Sequence, residues 1–113
     1  MNIQIFGTKK CAETRKAERW FKEHGQKFQF IDLAEKGISP GEFRSIETAL
    51  GLEALVDKEG KRYRERGLSH MEIDIREELI LDPLLLLTPL VREGRRATVG
   101  LAIRTWEAWI RGK

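Results

Sequence analysis

The chain has 113 residues, 41% of them hydrophobic and 35% charged, enough for one domain to bury a core without staples and too polar for a membrane-embedded protein. Its 21 lysines and arginines against 18 acids leave a formal net charge of +3, with the signs interspersed as on a solvated surface, which argues against direct nucleic-acid binding. One cysteine excludes an internal disulfide and a cysteine-rich zinc site, and the longest apolar run, residues 84–87, is far short of the about 20 residues that cross a bilayer.

Residues 2–6 (NIQIF) alternate polar and apolar and predict a strand ended by Gly7. The opening segment has no long apolar stretch of the signal-peptide kind, so the cytoplasm is the expected compartment. Residues 12–25 place Ala17, Trp20, Phe21 and His24 on one side of a helical wheel and charged residues on the rest, with Gly25 as the stop. Residues 27–32 (KFQFID) alternate again, turning Phe28, Phe30 and Leu33 towards a core. Strand, helix and strand make a βαβ unit with parallel strands and a right-handed crossover.

Ser39-Pro40-Gly41-Glu42 has the form of an N-cap with proline at the first helical position, followed by Phe43, Ile46, Ala49 and Leu50 at helical spacing. Residues 52–56 suit a short helix, residues 57–67 a charged loop, and residues 71–81 a helix preceded by Ser69 and closed by Asp82-Pro83. Residues 89–91 form a short strand, Glu93-Gly94 a tight turn and residues 96–99 the returning strand. A final amphipathic helix, residues 102–110, carries Ile103, Trp106 and Ile110 on one face. The expected product is a single α/β domain over residues 1–113, with βαβ and ββα halves and a helical insertion at about residues 39–82.

Cys11 follows the first strand's loop at the start of the first helix, where unsatisfied backbone N–H groups and the helix dipole favour the thiolate. Lys9, Lys10, Arg15 and Lys16 surround it in sequence and act in the same direction, and Thr14 is placed to donate its hydroxyl to the sulfur. The competing reading of a lone cysteine is a small buried hydrophobe. Thr14 stands where a C-x-x-C motif has its second cysteine, so turnover needs a thiol from outside. His24 suits a helix end and His70 has no ligand or carboxylate constellation around it, while Trp20, Trp106 and Trp109 read as packing.

The stretch from Gly7 to Ala17 (GTKKCAETRKA), with Trp20, Glu23, His24, Gly25 and Phe28, resembles the active-site strand, loop and first helix of the arsenate reductase (ArsC)/Spx family. Asp82-Pro83, then LLTPLV at residues 86–91 and RRATVG at residues 95–100, resembles that family's proline-bearing strand and hairpin end, so the resemblance spans nearly the whole chain. It implies a thioredoxin-like fold with a helical insertion. It also implies a cis-proline at Pro89, preceded by Thr88 and facing Cys11. Members that reduce arsenate attack it with the cysteine thiolate, hold it with three arginines and use glutathione.

Here Thr88 and Val99 align with two of those arginines, and the third falls among Asp57, Lys58 and Glu59. Arginine's planar fork of donors suits a tetrahedral oxyanion. Arg62, Arg64 and Arg66 of the loop, or Arg92, Arg95 and Arg96 of the hairpin, are the candidates for replacing them. The resemblance thus implies a one-cysteine oxidoreductase with no bound cofactor. Cys11 would be its nucleophile, Lys10, Thr14 and Arg15 would support the thiolate, and glutathione or a protein thiol would be the partner. Arsenate reduction is one alternative. The other is Spx-like regulation by binding RNA polymerase, with the Spx C-x-x-C switch absent.

Overall fold

A computed structural model describes residues 1–112. Four strands, β1 (Ile3–Gly7), β2 (Phe28–Asp32), β3 (Leu90–Glu93) and β4 (Arg96–Val99), form one sheet in the order β2-β1-β3-β4. β1 runs parallel to β2 and antiparallel to β3, which pairs antiparallel with β4. The helices are α1 (Ala12–Glu23), α2 (Pro40–Leu50), α3 (Lys61–Glu65), α4 (Ile75–Leu81) and α5 (Ile103–Arg111). This is the thioredoxin-like arrangement, βαβ and ββα halves separated by a helical insertion. Among the described residues no helix is long and apolar enough to cross a membrane.

The sheet is covered on both faces, because successive side chains of a strand point to opposite sides. Ile3 and Ile5 of β1 join Ala17, Trp20 and Phe21 of α1, Val91 of β3, and Trp106 and Trp109 of α5. Phe6 of β1 and Leu90 of β3 point the other way, into a cluster with Phe43 and Ile46 of α2, Leu79 of α4, and Leu55, Leu68 and Leu85 of the connecting turns. The fully buried Trp106 satisfies its indole by donating to the Thr98 hydroxyl at 2.8 Å.

Local signals explain several element boundaries. Ser39 and Glu42 form a reciprocal capping box at the start of α2. Asp74, not Ser69, caps α4: its carboxylate accepts from the Glu77 N–H, and the expected helix over residues 71–81 therefore begins at Ile75. Leu68–His70 is instead a separate 3₁₀ turn that follows Gly67 in the left-handed region.

The segment expected as a loop, residues 57–67, contains α3. It buries no residue, so it leaves no apolar stripe for sequence periodicity to detect. The hairpin turn is Gly94-Arg95 rather than Glu93-Gly94, with Gly94 at φ 59°.

Two expected core faces also change. On β2, Ile31 is buried and Phe28 and Phe30 are half-buried, since this edge strand has helices on both sides. On α5, Trp109 is buried and Ile103 is 39% exposed. His24, expected on the buried side of α1, is exposed at its C-terminus. There its ring stacks on Trp20, and Nδ1 lies 2.8 Å from the Trp20 carbonyl.

Candidate functional site

The C-terminal end of β1 and the start of β3 meet at the N-terminus of α1. After Gly7 the chain makes a tight turn, closed by the Cys11 N–H donating to the Thr8 carbonyl at 3.2 Å, and this makes Cys11 the N-cap of α1. From the far end of the sequence, the Thr88-Pro89 bond is cis, and Pro89 is buried at the head of β3. Its carbonyl accepts from Gly100 at 2.9 Å, tying the end of β4 to the same place.

Thr88 is the residue brought to the thiol. Its hydroxyl donates to Cys11 Sγ at 3.1 Å, whereas the distance from Sγ to the Thr88 carbonyl is 3.9 Å. The hydroxyl contact is the shorter by 0.8 Å and favours sulfur as an acceptor, the role a thiolate fills best.

Thr14 lies one turn into α1, is fully buried, and packs against Gly7 so closely that a Cβ there would sit 2.4 Å from its hydroxyl oxygen. Among the described residues that hydroxyl has no hydrogen-bond partner of its own, which leaves it available to the sulfur.

The Cys11 thiol pKa is the balance of opposing effects. Partial burial pushes it up; the hydroxyls of Thr14 and Thr88 and the backbone N–H groups of Thr14 and Glu13 pull it down, and the net direction is down. The helix backbone makes no full hydrogen bond to the sulfur, so its contribution is that of nearby dipoles.

The cations expected to act on the thiol are placed otherwise. Lys9 and Lys10 are exposed and make no hydrogen bond to the sulfur among the described residues, and Arg15 donates to the Lys9 carbonyl at 2.9 Å, bracing the loop instead of touching sulfur. High-dielectric surroundings screen such charges. Hydroxyls and backbone, not lysines and arginines, therefore set the thiol's environment.

The arginines offered as an oxyanion clamp are likewise elsewhere. The register sets Arg92 opposite Gln4, near the start of β1, and Arg92 donates to the Gln4 side chain at 2.8 Å. Arg96 pairs with Glu93 and lies over the Trp109 ring, and Arg95 is in the turn. The turn is thus at the opposite end of the sheet from Cys11.

In the insertion, Arg62 bonds Asp82 at 2.7 Å, while Arg66 spans Asp82 at 3.0 Å and Glu78 at 2.5 Å. Arg64 donates to the Glu59 carbonyl. Lys58, from the stretch aligned with the third arginine, pairs with Glu53 at 3.0 Å. Among the described residues no cluster of His, Cys, Asp and Glu has the form of a metal site.

What the sequence reading missed is a cavity beside the thiol loop. It is lined by Thr8, Lys9 and Lys10 of the thiol loop, by Asp32 at the end of β2 and Ala34 and Glu35 just after it, and by Leu84. Its residues come from three separate stretches of the chain, around positions 8–10, 32–35 and 84, so no local motif announces it.

Comparison with known proteins agrees with this geometry. Residues 6–109 match the model of the ArsC family. The chain is 33% identical over 107 residues to the uncharacterised protein YusI of Bacillus subtilis, covering 88% of this chain and 91% of that one. It is 30% identical to the global transcriptional regulator Spx 2 of Oceanobacillus iheyensis, covering 88% and 77%. Among solved structures, the protein YffB superposes with a TM-score of 0.81 at 23% identity, over 94% of this chain and 96% of that one.

Proposed function

The chain belongs to the ArsC family, and from that premise we propose that it is a one-cysteine thiol oxidoreductase whose nucleophile is Cys11. The observation that carries this reading is the Thr88 hydroxyl donating to Cys11 Sγ at 3.1 Å at the mouth of α1, on a thiol whose pKa is lowered. The thiolate attacks a disulfide sulfur, forming a mixed disulfide and expelling the other sulfur as thiolate. Thr14 occupies the position of a second cysteine, so an external thiol completes the cycle by attacking the mixed disulfide and releasing Cys11. Glutathione, or a protein thiol positioned along Thr88 and Pro89, is the partner in this proposal. The reducing cytoplasm is the compartment that suits it.

Arsenate is a poor fit. The aligned arginine positions hold Thr88 and Val99, and Arg62 and Arg66 are committed to Asp82 and Glu78. Each missing charge-assisted contact in a closed site is worth about 2 to 5 kcal/mol.

The test is intact-mass spectrometry of the reduced protein, incubated with glutathione disulfide or with arsenate plus glutathione. A single glutathione adduct on Cys11, absent from Cys11→Ser and independent of arsenate, is expected. An arsenate-dependent adduct would restore the arsenate reading.

The similarity to Spx 2 supports a second reading, binding of RNA polymerase without catalysis. It would be favoured by a Cys11→Ser protein that retains both phenotype and partners.

A further inference from the structure

The cavity lined by Thr8, Lys9 and Lys10, the three residues that lead into Cys11, has a volume of about 420 Å³ and a distinctive charge pattern. Lys9 and Lys10 are the two residues immediately before the thiol, and both are exposed. Asp32 and Glu35 line the same cavity, on a turn held by the Glu35 and Lys36 N–H groups donating to the Asp32 carbonyl at 3.1 and 2.8 Å. One Asp32 carboxylate oxygen accepts from the Ala34 N–H at 2.9 Å, and among the described residues the other has no donor. Leu84, 42% exposed, adds an apolar surface.

Two cations and two carboxylates thus line one cavity, yet among the described residues no ion pair closes between them. Opposite charges that line one cavity without pairing to each other match a ligand that carries both signs itself.

We propose that this cavity is the subsite for the α-amino-acid zwitterion of a small thiol or disulfide co-substrate. The ligand's carboxylate would lie towards Lys9 and Lys10, its ammonium towards Asp32 and Glu35, and its methylene carbons against Leu84. This rests on the reading of Cys11 as the nucleophile. The reaction is thiol–disulfide exchange: the Cys11 thiolate bonds to one sulfur of the disulfide, the S–S bond breaks, and the departing thiolate takes a proton from water. Free cysteine and the γ-glutamyl end of glutathione both carry the required zwitterion.

The experiment measures rates of mixed-disulfide formation at Cys11 by intact mass at low ionic strength, with five disulfides. Cystine and glutathione disulfide carry the zwitterion, cystamine the ammonium alone, dithiodipropionate the carboxylate alone, and bis(2-hydroxyethyl) disulfide no charge. Each rate is divided by that of the neutral disulfide with the same protein, which cancels any change in the thiolate itself.

Glu35→Gln is expected to lower the normalised rates for the zwitterions and cystamine by about threefold to fivefold, the size of a surface ion pair, and to spare dithiodipropionate. Lys9→Gln is expected to lower those for the zwitterions and dithiodipropionate and to spare cystamine. Whichever of cystine and glutathione disulfide responds more to both substitutions is the carrier the cavity fits. Normalised rates that neither substitution alters would overturn the subsite while leaving the nucleophile intact. No reaction even with the neutral disulfide would overturn the nucleophile, and the subsite with it.

Discussion

Two threonine hydroxyls, not the surrounding lysines, lower the Cys11 pKa against the upward push of burial. A hydrogen bond to a charged group is worth about 1.5–3 kcal/mol, and a pKa difference of one corresponds to about 1.4 kcal/mol. Thr14→Val, which conserves side-chain shape, is therefore expected to raise the Cys11 pKa and to slow alkylation at pH 7 by up to about tenfold. Iodoacetamide labelling followed by mass spectrometry checks this.

The same thiol links stability to pH. Its pKa is lower in the folded chain than in an ordinary thiol, so its stabilising contribution is fully present above the unfolded-state value and is lost as pH falls through the folded-state value. Urea unfolding across that window should show wild type gaining stability over Cys11→Ser as pH rises; a pH-independent difference would mean the thiolate is not favoured by the fold. The position of Cys11 was legible in the sequence because a strand, a short loop and a helix start leave few places for it. The partner hydroxyl of Thr88 was legible only through family resemblance, since 77 residues separate it from Cys11.

At the level of elements, the contact between β1 and α1 fixes the thiol loop. Gly7 is required there because Thr14 fills the space a Cβ would occupy, at 2.4 Å from its oxygen and 2.6 Å from its methyl carbon. Gly7→Ala is expected to cost about 1–3 kcal/mol in urea unfolding, with partial recovery in Gly7→Ala/Thr14→Ala. No recovery would place the cost in the backbone instead.

The elements with an apolar period or a cap, such as α1, α2 and α5, can be read from sequence because burial and capping leave residue patterns. α3 cannot, because its five residues are anchored by neighbours and not by a buried face. The start of α4 was misplaced for a related reason: Ser69 and Asp74 are both competent caps, and tertiary packing decides between them.

The whole molecule is organised around a sheet that is apolar on both sides, so the insertion is built on the same strands as the site. Phe6 and Leu90 flank the Cys11 loop and the Thr88-Pro89 bond in sequence, and they pack into the insertion's cluster. The insertion should accordingly unfold with the sheet. Leu79→Ala, at a fully buried position of α4, is expected to lower stability by about 2–5 kcal/mol in one transition. Separate transitions by fluorescence and circular dichroism would show instead that the insertion unfolds independently. The alternation over residues 27–32 marks Phe28 and Phe30 but leaves Ile31 on the opposite side of β2, and only the second covering layer explains its burial. The hairpin arginines were similarly misplaced, because only the strand register reveals which end of the sheet they occupy.

The pH dependence of Cys11 alkylation in wild type and Thr88→Val reads out whether Thr88 and the start of α1 hold Cys11 as a reactive thiolate. A wild-type midpoint below the about 8.5 of a free cysteine, moving upward in Thr88→Val, is expected. A wild-type midpoint at or above that value, unchanged by the substitution, would contradict it.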